Sequence, residues 1–443
     1  MGTVPRILVF FIVSSLVLAW LLLANTPRKS SLRFDPTFDP RKSWGAYTPF
    51  FPVHKYAPPP AGCQVIQVNI LQRHGARFPT SGASINIVSA VQKLKNADAY
   101  THPSMQFMSN FVYTLGTNDL VPFGARQSSD AGAITFKRYA HLFDANNIPF
   151  VRASSGTRVV DSATNWTEGF AAASHGVYRP PLSVILSEEG NDTLESHMCP
   201  NAGSSDPQTD EWLNVYAPAI TTRLNSWAPG AKLTDHETHA LISLCAFHTA
   251  ALGNPTTPSP VCGLFTPSDF AGFDYSADLD KYYHTGYGAS LGRVQGVGYA
   301  NELLARLTGT PVRDNTQTNR TLDADPTTFP LNRTLYADFS HDNAMIACMS
   351  AIGLFRQPEA LSTVEPDPQR TWHTHAMVPF SGRMVVEKLN CDETEFVRIL
   401  VNDALQPLEF CGTGTGICTL EAFVQSQSYA QSDGDGDWDR CFR

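Results

Sequence analysis

Two apolar runs of strand length, each ending in polar and charged residues, constrain the fold of this chain more than any other feature. Residues 65–71 lead directly into Arg73-His74-Gly75, and residues 335–339 lead into Ser340-His341-Asp342. In open α/β sheets the ligand crevice lies beyond the carboxyl ends of the strands. Both clusters are therefore candidate functional residues.

The other predicted elements complete an α/β pattern. Further strands are expected at 149–153, 184–186, 385–389 and 396–401, the last two joined through a turn. Apolar residues at helical spacing occupy most of the longer stretches between the strands. A helix at 343–353 is expected to end with Gly353 as its C-cap. Strands separated by helices predict an α/β core with a mostly parallel sheet flanked by helices.

The same pattern suggests where the domains divide. Residues 26–60 are rich in proline and aromatic side chains, which predicts an extended N-terminal arm laid over the folded body. Residues 61–443 are expected to form a single unit with an inserted, smaller α-helical domain. We assign the α/β core to about 61–83, 146–206 and 295–443, and the helical cap to about 84–145 and 207–294.

The N-terminus has the pattern of a targeting segment. Residues 7–24 follow Arg6 and are apolar apart from two serines, a run long for a signal peptide and short for a membrane span. We predict a cleaved signal peptide at 1–25, with an uncleaved signal anchor as the alternative; either way the remainder is translocated. Four glycosylation sequons agree with a secreted, extracellular protein. They stand at Asn165, Asn191, Asn319 and Asn332.

Net charge and cysteine content indicate which partners, metal sites and disulfides are to be expected. The net charge of −9 disfavours nucleic acid, and the 13 histidines would more than reverse it once protonated below pH ~6.5. That change of sign suits a protein that handles polyanions at acidic pH. The nine cysteines include no CxxC pair, so we expect no metal site and no cofactor. They indicate disulfides plus one leftover thiol, assigned to Cys348 in an apolar run at helical spacing.

The segment from Arg73 to Arg77 combines a nucleophile with an anion clamp. Two guanidiniums flank the His74 imidazole, and guanidiniums bind phosphate oxygens in a bidentate manner. Neighbouring cations lower the pKa of an imidazole, so His74 is expected to stay neutral and nucleophilic at acidic pH. Gly75 is expected to let an oxyanion approach the backbone closely. A protonated Asp342, following His341, would supply the acid for a leaving alkoxide.

These motifs resemble those of a known family. Residues 73–79 (RHGARFP) together with residues 340–343 (SHDN) resemble the histidine acid phosphatases, and among them the fungal phytases. The likeness runs from about Trp44 to Cys441. Residues 79–83 and 406–412 are similar to the basidiomycete branch, whose characterised members are 6-phytases. The resemblance implies a phosphoglycerate-mutase-like α/β fold with a helical insert.

The resemblance also implies a role for individual residues. His74 corresponds to the nucleophile, His341 to a residue that holds the phosphate, and Asp342 to the general acid. The phosphate clamp corresponds to Arg73, Arg77 and Arg158, whereas Arg152 is expected to serve structure. Residues at substrate-contacting positions are Tyr47, Thr80 and Lys281. The implied disulfides are Cys63–Cys391, Cys199–Cys441, Cys245–Cys262 and Cys411–Cys418, which again leaves Cys348 free.

The predicted function is hydrolysis of phytate, myo-inositol hexakisphosphate, through a phosphohistidine at acidic pH. We expect a secreted monomer acting on a small-molecule phosphomonoester, with no membrane contact after signal cleavage. Residues 81–84 lack the lysines of many ascomycete phytases, and Asp280 stands where some carry a lysine beside Lys281. A broad-specificity acid phosphatase is therefore the alternative. An inactive phosphate- or inositide-binding module is disfavoured because all six catalytic positions are occupied by the expected residue types.

Overall fold

The computed structural model of the protein describes residues 39–254, 257–412 and 414–443. The predicted signal segment and the arm before Asp39 lie outside the described residues. The strands are β1 (Cys63–Arg73), β2 (Phe150–Ser154), β3 (Leu182–Leu186), β4 (Leu335–Ser340), β5 (Arg383–Cys391), β6 (Thr394–Val401), β7 (Ala404–Leu405) and β8 (Cys418–Thr419).

Helices connect and flank these strands. The α-helices are α1 (Ser81–Lys95), α2 (Pro122–Tyr139), α3 (Thr157–Ala173), α4 (Asp206–Trp227), α5 (Asp235–Ala251), α6 (Pro267–His284), α7 (Val297–Thr308), α8 (Arg320–Ala324), α9 (Asp342–Ile352), α10 (Thr374–Met377), α11 (Leu420–Ser426), α12 (Ser428–Gln431) and α13 (Asp437–Arg440). Short 3-10 helices lie at Pro40–Lys42, Gly45–Tyr47, Pro103–Ser109, Ala140–Leu142, Pro260–Leu264 and Arg293–Gly296. Helix α9 ends before Gly353, whose φ of 107° is that of a left-handed cap, as predicted.

The strands form one sheet in the order β3-β2-β4-β1-β5-β6-β7, with β8 paired to β6. Strands β3, β2, β4 and β1 are parallel, and β5 runs antiparallel to β1. The α/β class with flanking helices is confirmed, but the sheet is mixed, whereas we predict a mostly parallel one. The antiparallel pairing of β5 with β6 has a local cause, because the two strands are joined by Asp392 and Glu393, both with positive φ, and so short a turn returns the chain antiparallel.

Strands β2 and β4, in the middle of the parallel half of the sheet, are buried on both faces. Along β4 the side chains alternate, so that Ala337 and Phe339 pack with Trp166 of α3 on one face. Tyr336 belongs to the opposite face, in an apolar cluster that also contains residues of α7 and α9. Burial on both sides explains why β2 and β4 are largely apolar, and their charged residues Arg152 and Asp338 pair with each other.

The helices outside the α/β core divide into two groups. Helices α1, α4, α5 and α6 contact one another. Helix α2 instead contacts α3, and its residues Ala131 and Tyr139 belong to the cluster beneath the sheet. The proposed cap at about 84–145 and 207–294 stays a prediction, but α2, placed in it from sequence, packs with the core. The packing of α2 depends on tertiary contacts, and hydrophobic periodicity along the sequence does not reveal which segment a helix will contact.

All four implied disulfides are present: Cys63–Cys391, Cys199–Cys441, Cys245–Cys262 and Cys411–Cys418. Cys348 is buried and is the one free cysteine of the described chain. Among the residues that the structure describes, no helix is both long enough and apolar enough to cross a membrane.

A buried ion cluster joins β2, β4 and α7 on the face of the sheet that carries Tyr336. Arg152 Nε lies 2.8 Å from Asp338 Oδ1, and its Nη2 lies 2.6 Å from Glu302 Oε2. Arg306 Nη1 completes the cluster at 2.5 Å from Asp338 Oδ2. The side chains involved are at most 2% exposed. Arg152 is therefore a structural residue, as expected from the sequence.

We expect Arg152→Met to lower the free energy of unfolding by about 3–5 kcal/mol, because it leaves two buried carboxylates without their shared partner. Urea denaturation followed by tryptophan fluorescence measures this change. Arg440→Met, which breaks an exposed pair with Asp437, is the matched control and should change stability by less than about 1 kcal/mol. Equal effects of the two substitutions would contradict this account of the cluster.

Candidate active site

The pairing of β1 with β4 brings the two predicted clusters together. The two strands are parallel neighbours, and their register places Arg73 opposite Ser340. The backbone N–H of His74 donates to the Ser340 carbonyl at 3.0 Å, so the chain remains paired one residue beyond β1. His74 and His341 consequently emerge side by side, with ring centroids 5.6 Å apart.

A cavity of about 470 Å³ opens at this edge of the sheet. Seven of the nine predicted site residues line it: Tyr47, Arg77, Thr80, Arg158, Lys281, His341 and Asp342. Arg73 and His74 are buried, at 0% and 1% exposure, and contact residues that line it. The structure thus brings all nine together. Tyr47 comes from the N-terminal arm, and the neighbouring Ala46 carbonyl accepts a hydrogen bond from Arg73 Nη1.

His74 is held as a neutral imidazole with one free ring nitrogen. Its Nδ1 lies 2.8 Å from its neighbour's carbonyl oxygen, Gly75 O, which can only accept, so the ring proton sits on Nδ1. The unprotonated Nε2 is then available as a nucleophile. Burial, and after it the charges of Arg73 and Arg77, keep the pKa of His74 well below its ordinary value. The imidazole therefore stays uncharged into the acidic range, as the sequence predicts.

Gly75 is required for a different reason from the one expected. A Cβ at this position would lie 2.2 Å from the carbonyl oxygen of Gly124, at the start of α2. The missing side chain thus allows two backbone segments to touch, rather than admitting an oxyanion. The Gly75 N–H is also occupied, since it donates to Ser162 Oγ of α3 at 3.0 Å.

The three arginines of the predicted clamp have unused donors. Arg73 reaches the carbonyl of Val378 and Asp342, Arg77 reaches its own neighbour's carbonyl, and Arg158 Nη2 lies 3.1 Å from His341 Nδ1. The Nε atom of each is buried without a hydrogen-bond partner among the described residues. Buried guanidinium donors without acceptors are costly, and an anion with several oxygens would satisfy them.

Asp342 differs from the sequence expectation in its charge. Its carboxylate lies 3.0 Å from Arg73 Nη2 and 3.2 Å from Lys281 Nζ. Burial raises its pKa, but the cations Arg73 and Lys281 outweigh that effect and hold the pKa well below its ordinary value. The prediction that Asp342 is protonated is thus wrong for this structure, because the sequence does not reveal that Lys281 contacts Asp342.

Two acidic residues at the site escaped the sequence analysis. Glu188 Oε1 and Glu195 Oε2 lie 2.9 Å and 3.0 Å from His341 Nε2. Glu188 follows β3, so the rule that sites lie at strand carboxyl ends could have identified it; Glu195 has no such signal. These three side chains are close enough to hold a metal ion, yet the carboxylates are already paired with the imidazole.

The three predicted substrate contacts are placed in different ways. Tyr47 packs against Phe247, with ring centroids 4.4 Å apart and the ring planes tilted by 42°, and lines the cavity. Thr80 caps α1 by accepting from the Ala83 N–H. The Lys281 ammonium is engaged by Asp280, by Asp342 and by the Asn343 side chain at 2.6 Å. It is therefore not a free cation at the mouth of the cavity.

The predicted glycosylation sequons stay predictions. Asn191 and Asn332 are exposed, whereas Asn165 is half-buried within α3 and Asn319 caps α8 through its side chain.

Comparisons with known proteins agree with this geometry. The profile of the histidine phosphatase superfamily (branch 2) matches residues 64–402. Phytase A of Emericella nidulans is 40% identical over 423 residues, and Phytase A of Aspergillus oryzae 39% over 422, each covering 90% of both chains. The solved phytase of D. castellii shares the fold with a TM-score of 0.74 at 22% identity, covering 89% of this chain and 86% of that one. The multiple inositol polyphosphate phosphatase of Bifidobacterium longum, solved with inositol hexasulfate, has a TM-score of 0.62 at 14% identity, over 86% and 96%.

The two adjacent histidines are expected to differ in charge near pH ~6.5, the ordinary pKa of the side chain. His74 should be neutral, and His341, whose pKa is raised to about 9, should be an imidazolium. Nitrogen-15 spectra of histidine-labelled protein measure both, with His74→Gln and His341→Gln assigning the signals. Titration of both rings together near the ordinary pKa would contradict the assignment.

Proposed function

Because this chain belongs to the histidine phosphatase superfamily (branch 2), we propose that it is a phytase. It would hydrolyse myo-inositol hexakisphosphate to lower inositol phosphates and inorganic phosphate through a phosphohistidine on His74. One observation carries the proposal: a buried, neutral imidazole with a free Nε2 lies among three guanidiniums whose Nε donors are unpartnered. Relatives similar over 90% of their length carry the name Phytase A.

In the first step the phosphate of the substrate is bound by Arg73, Arg77, Arg158 and His341. His74 Nε2 attacks phosphorus as the bond to the inositol oxygen breaks. The guanidiniums stabilise the charge on the transferred group. Asp342 donates a proton to the leaving oxygen, so the products are a free hydroxyl group and a phosphohistidine.

In the second step water hydrolyses the phosphohistidine. The Asp342 carboxylate, left by the first step, accepts a proton from the attacking water. The P–N bond breaks, His74 regains its neutral form, and inorganic phosphate leaves. Asp342 therefore serves first as an acid and then as a base, and each cycle returns its proton.

Because Asp342 is ionised beside Arg73 and Lys281, it binds the proton that it later donates only when the substrate is present. Without an added anion, Arg73 and Lys281 stabilise the carboxylate. A bound phosphate brings negative charge next to Arg73, which raises the pKa of a neighbouring carboxyl group. We infer that the substrate itself prepares Asp342 to act as the acid. Together with the neutral His74, this places activity in the acidic range.

A broad-specificity acid phosphatase is the second candidate, and one observation favours it. The Lys281 ammonium is paired with two carboxylates and an amide oxygen. It is therefore less available to the outer phosphates of phytate than a free lysine would be. The catalytic steps are the same in both candidates, and only the mouth of the cavity distinguishes them.

The remaining expectations are part of the same proposal. Four disulfides and the predicted signal segment support an extracellular, secreted protein. We propose a monomer that needs no cofactor. The resemblance of residues 79–83 and 406–412 supports attack at the 6-position first, which chromatography of the first inositol pentakisphosphate formed would test.

We expect turnover of phytate at acidic pH, with kcat/KM higher than for 4-nitrophenyl phosphate. His74→Ala should abolish turnover of both substrates while far-UV circular dichroism stays unchanged, because the covalent intermediate can no longer form. Initial-rate assays of phosphate release measure this. A higher kcat/KM for 4-nitrophenyl phosphate would support the second candidate, and full activity of the variant would refute the mechanism.

Asp342→Asn should slow substrates with poor leaving groups most. A general acid contributes roughly 10²–10⁴-fold to the rate, and 4-nitrophenolate leaves with little need of a proton. We therefore expect kcat on phytate to fall by a much larger factor than burst-phase release of 4-nitrophenol. Rapid-mixing assays with both substrates compare the two, and an equal loss in both would rule out the acid role.

A further inference from the structure

His341 is clamped at one ring nitrogen by two carboxylates. Glu188 Oε1 and Glu195 Oε2 both lie within 3.0 Å of its Nε2. A carboxylate can only accept, so the Nε2 proton is held between them. On the opposite side, Arg158 Nη2 lies 3.1 Å from Nδ1; a guanidinium can only donate, so this contact is a hydrogen bond only while Nδ1 is unprotonated, and a phosphate must take its place when Nδ1 is protonated. The orientation of the ring is thereby fixed.

Glu188 is itself held in place. Its Oε1 accepts from the Gly156 N–H at 2.8 Å and from Ser154 Oγ at 2.9 Å, at the end of β2. A Cβ on Gly156 would lie 2.7 Å from that oxygen and 3.4 Å from His341 Cε1. The backbone therefore leaves room for this carboxylate against the imidazole. Glu195 is fixed less firmly, with its Oε1 accepting from the Ser196 N–H.

We propose that Glu188 and Glu195 are positioning residues that keep His341 doubly protonated and turned toward the phosphate. This inference rests on the proposed phosphatase function. An ionised phosphate oxygen can only accept, so His341 can donate to it only if Nδ1 also carries a proton. Two carboxylates at Nε2 stabilise the positive charge that this second proton brings.

The charges facing His341 favour this state. Arg158 opposes a positive ring and the neutral His74 adds no charge, whereas Glu188 and Glu195 favour a positive ring from closer contacts. Burial also opposes the charge, yet the two carboxylates raise the pKa of His341 to about 9. In return, the pKa of Glu188 is lowered to about 2, with His341 as the main cause. The pair stays charged from about pH 2 to about pH 9.

The pH range of activity follows from this clamp. Without it the pKa of His341 would fall to its ordinary ~6.5 or below, because burial and Arg158 still act. The ring would then be charged at pH ~4.5 but neutral at pH ~7. A defect caused by loss of the clamp should therefore be small at the lower pH and large at the higher one.

The test compares Glu188→Gln, Glu195→Gln and the double variant with Glu189→Gln. Glu189 is exposed, adjacent in sequence and carries the same charge, and its side chain makes no described contact with His341. We measure kcat/KM for 4-nitrophenyl phosphate and the inhibition constant of inorganic phosphate from about pH 4 to about pH 8. Relative to wild type, the double variant should lose about tenfold more at pH ~7 than at pH ~4.5 in both quantities, the effect of one charge-assisted hydrogen bond.

The single variants should show the same trend with smaller factors, and they decide the question if the double variant fails to fold. Glu189→Gln should match wild type at every pH. A loss of equal size at both pH values, or no loss in either single variant, would overturn the inference and leave the two glutamates a purely structural role. Wild-type and control proteins that hydrolyse no phosphomonoester would instead refute the proposed function.

Discussion

The backbone pairing of β1 with β4 is the constraint on which the site depends. Because the strands are parallel neighbours in a fixed register, His74 and His341 leave the sheet at the same level. The neighbouring strands end at the same edge. The segment after β2 therefore brings Arg158 to His341, and the segment after β3 brings Glu188 to it. A shift of β4 by two residues would keep every apolar side chain on its face. It would still separate the two histidines.

At this edge of the sheet the positive charges around the cavity exceed the negative ones. Three arginines and Lys281 face two carboxylates, Asp280 and Asp342, while Glu188 and Glu195 contact the far nitrogen of His341. The positive charge that remains is directed at one small volume. Burial adds to the effect, because it weakens the screening of these charges by water and keeps His74 neutral.

Much of this could be predicted from sequence, and the exceptions have physical causes. The strand ends, the gathering of the nine predicted site residues, Arg152 and the disulfides follow from local patterns or from family resemblance. Three features do not, because they arise from contacts between distant segments: the pairing of Lys281 with Asp342, the contact of Glu195 with His341, and the packing of α2 on α3. The antiparallel pairing of β5 with β6 could have been predicted, because Asp392 and Glu393 form a turn too short to connect parallel strands.

The disulfide between Cys199 and Cys441 sets the order in which the site can be completed. It ties the loop that carries Glu195 to a residue 242 positions further along the chain. During synthesis on the ribosome, the arginine clamp and both histidines emerge well before Cys441 does. This disulfide can fasten the segment around Glu195 only after Cys441 has been synthesised. Assembly of the site thus finishes with a covalent step late in biosynthesis.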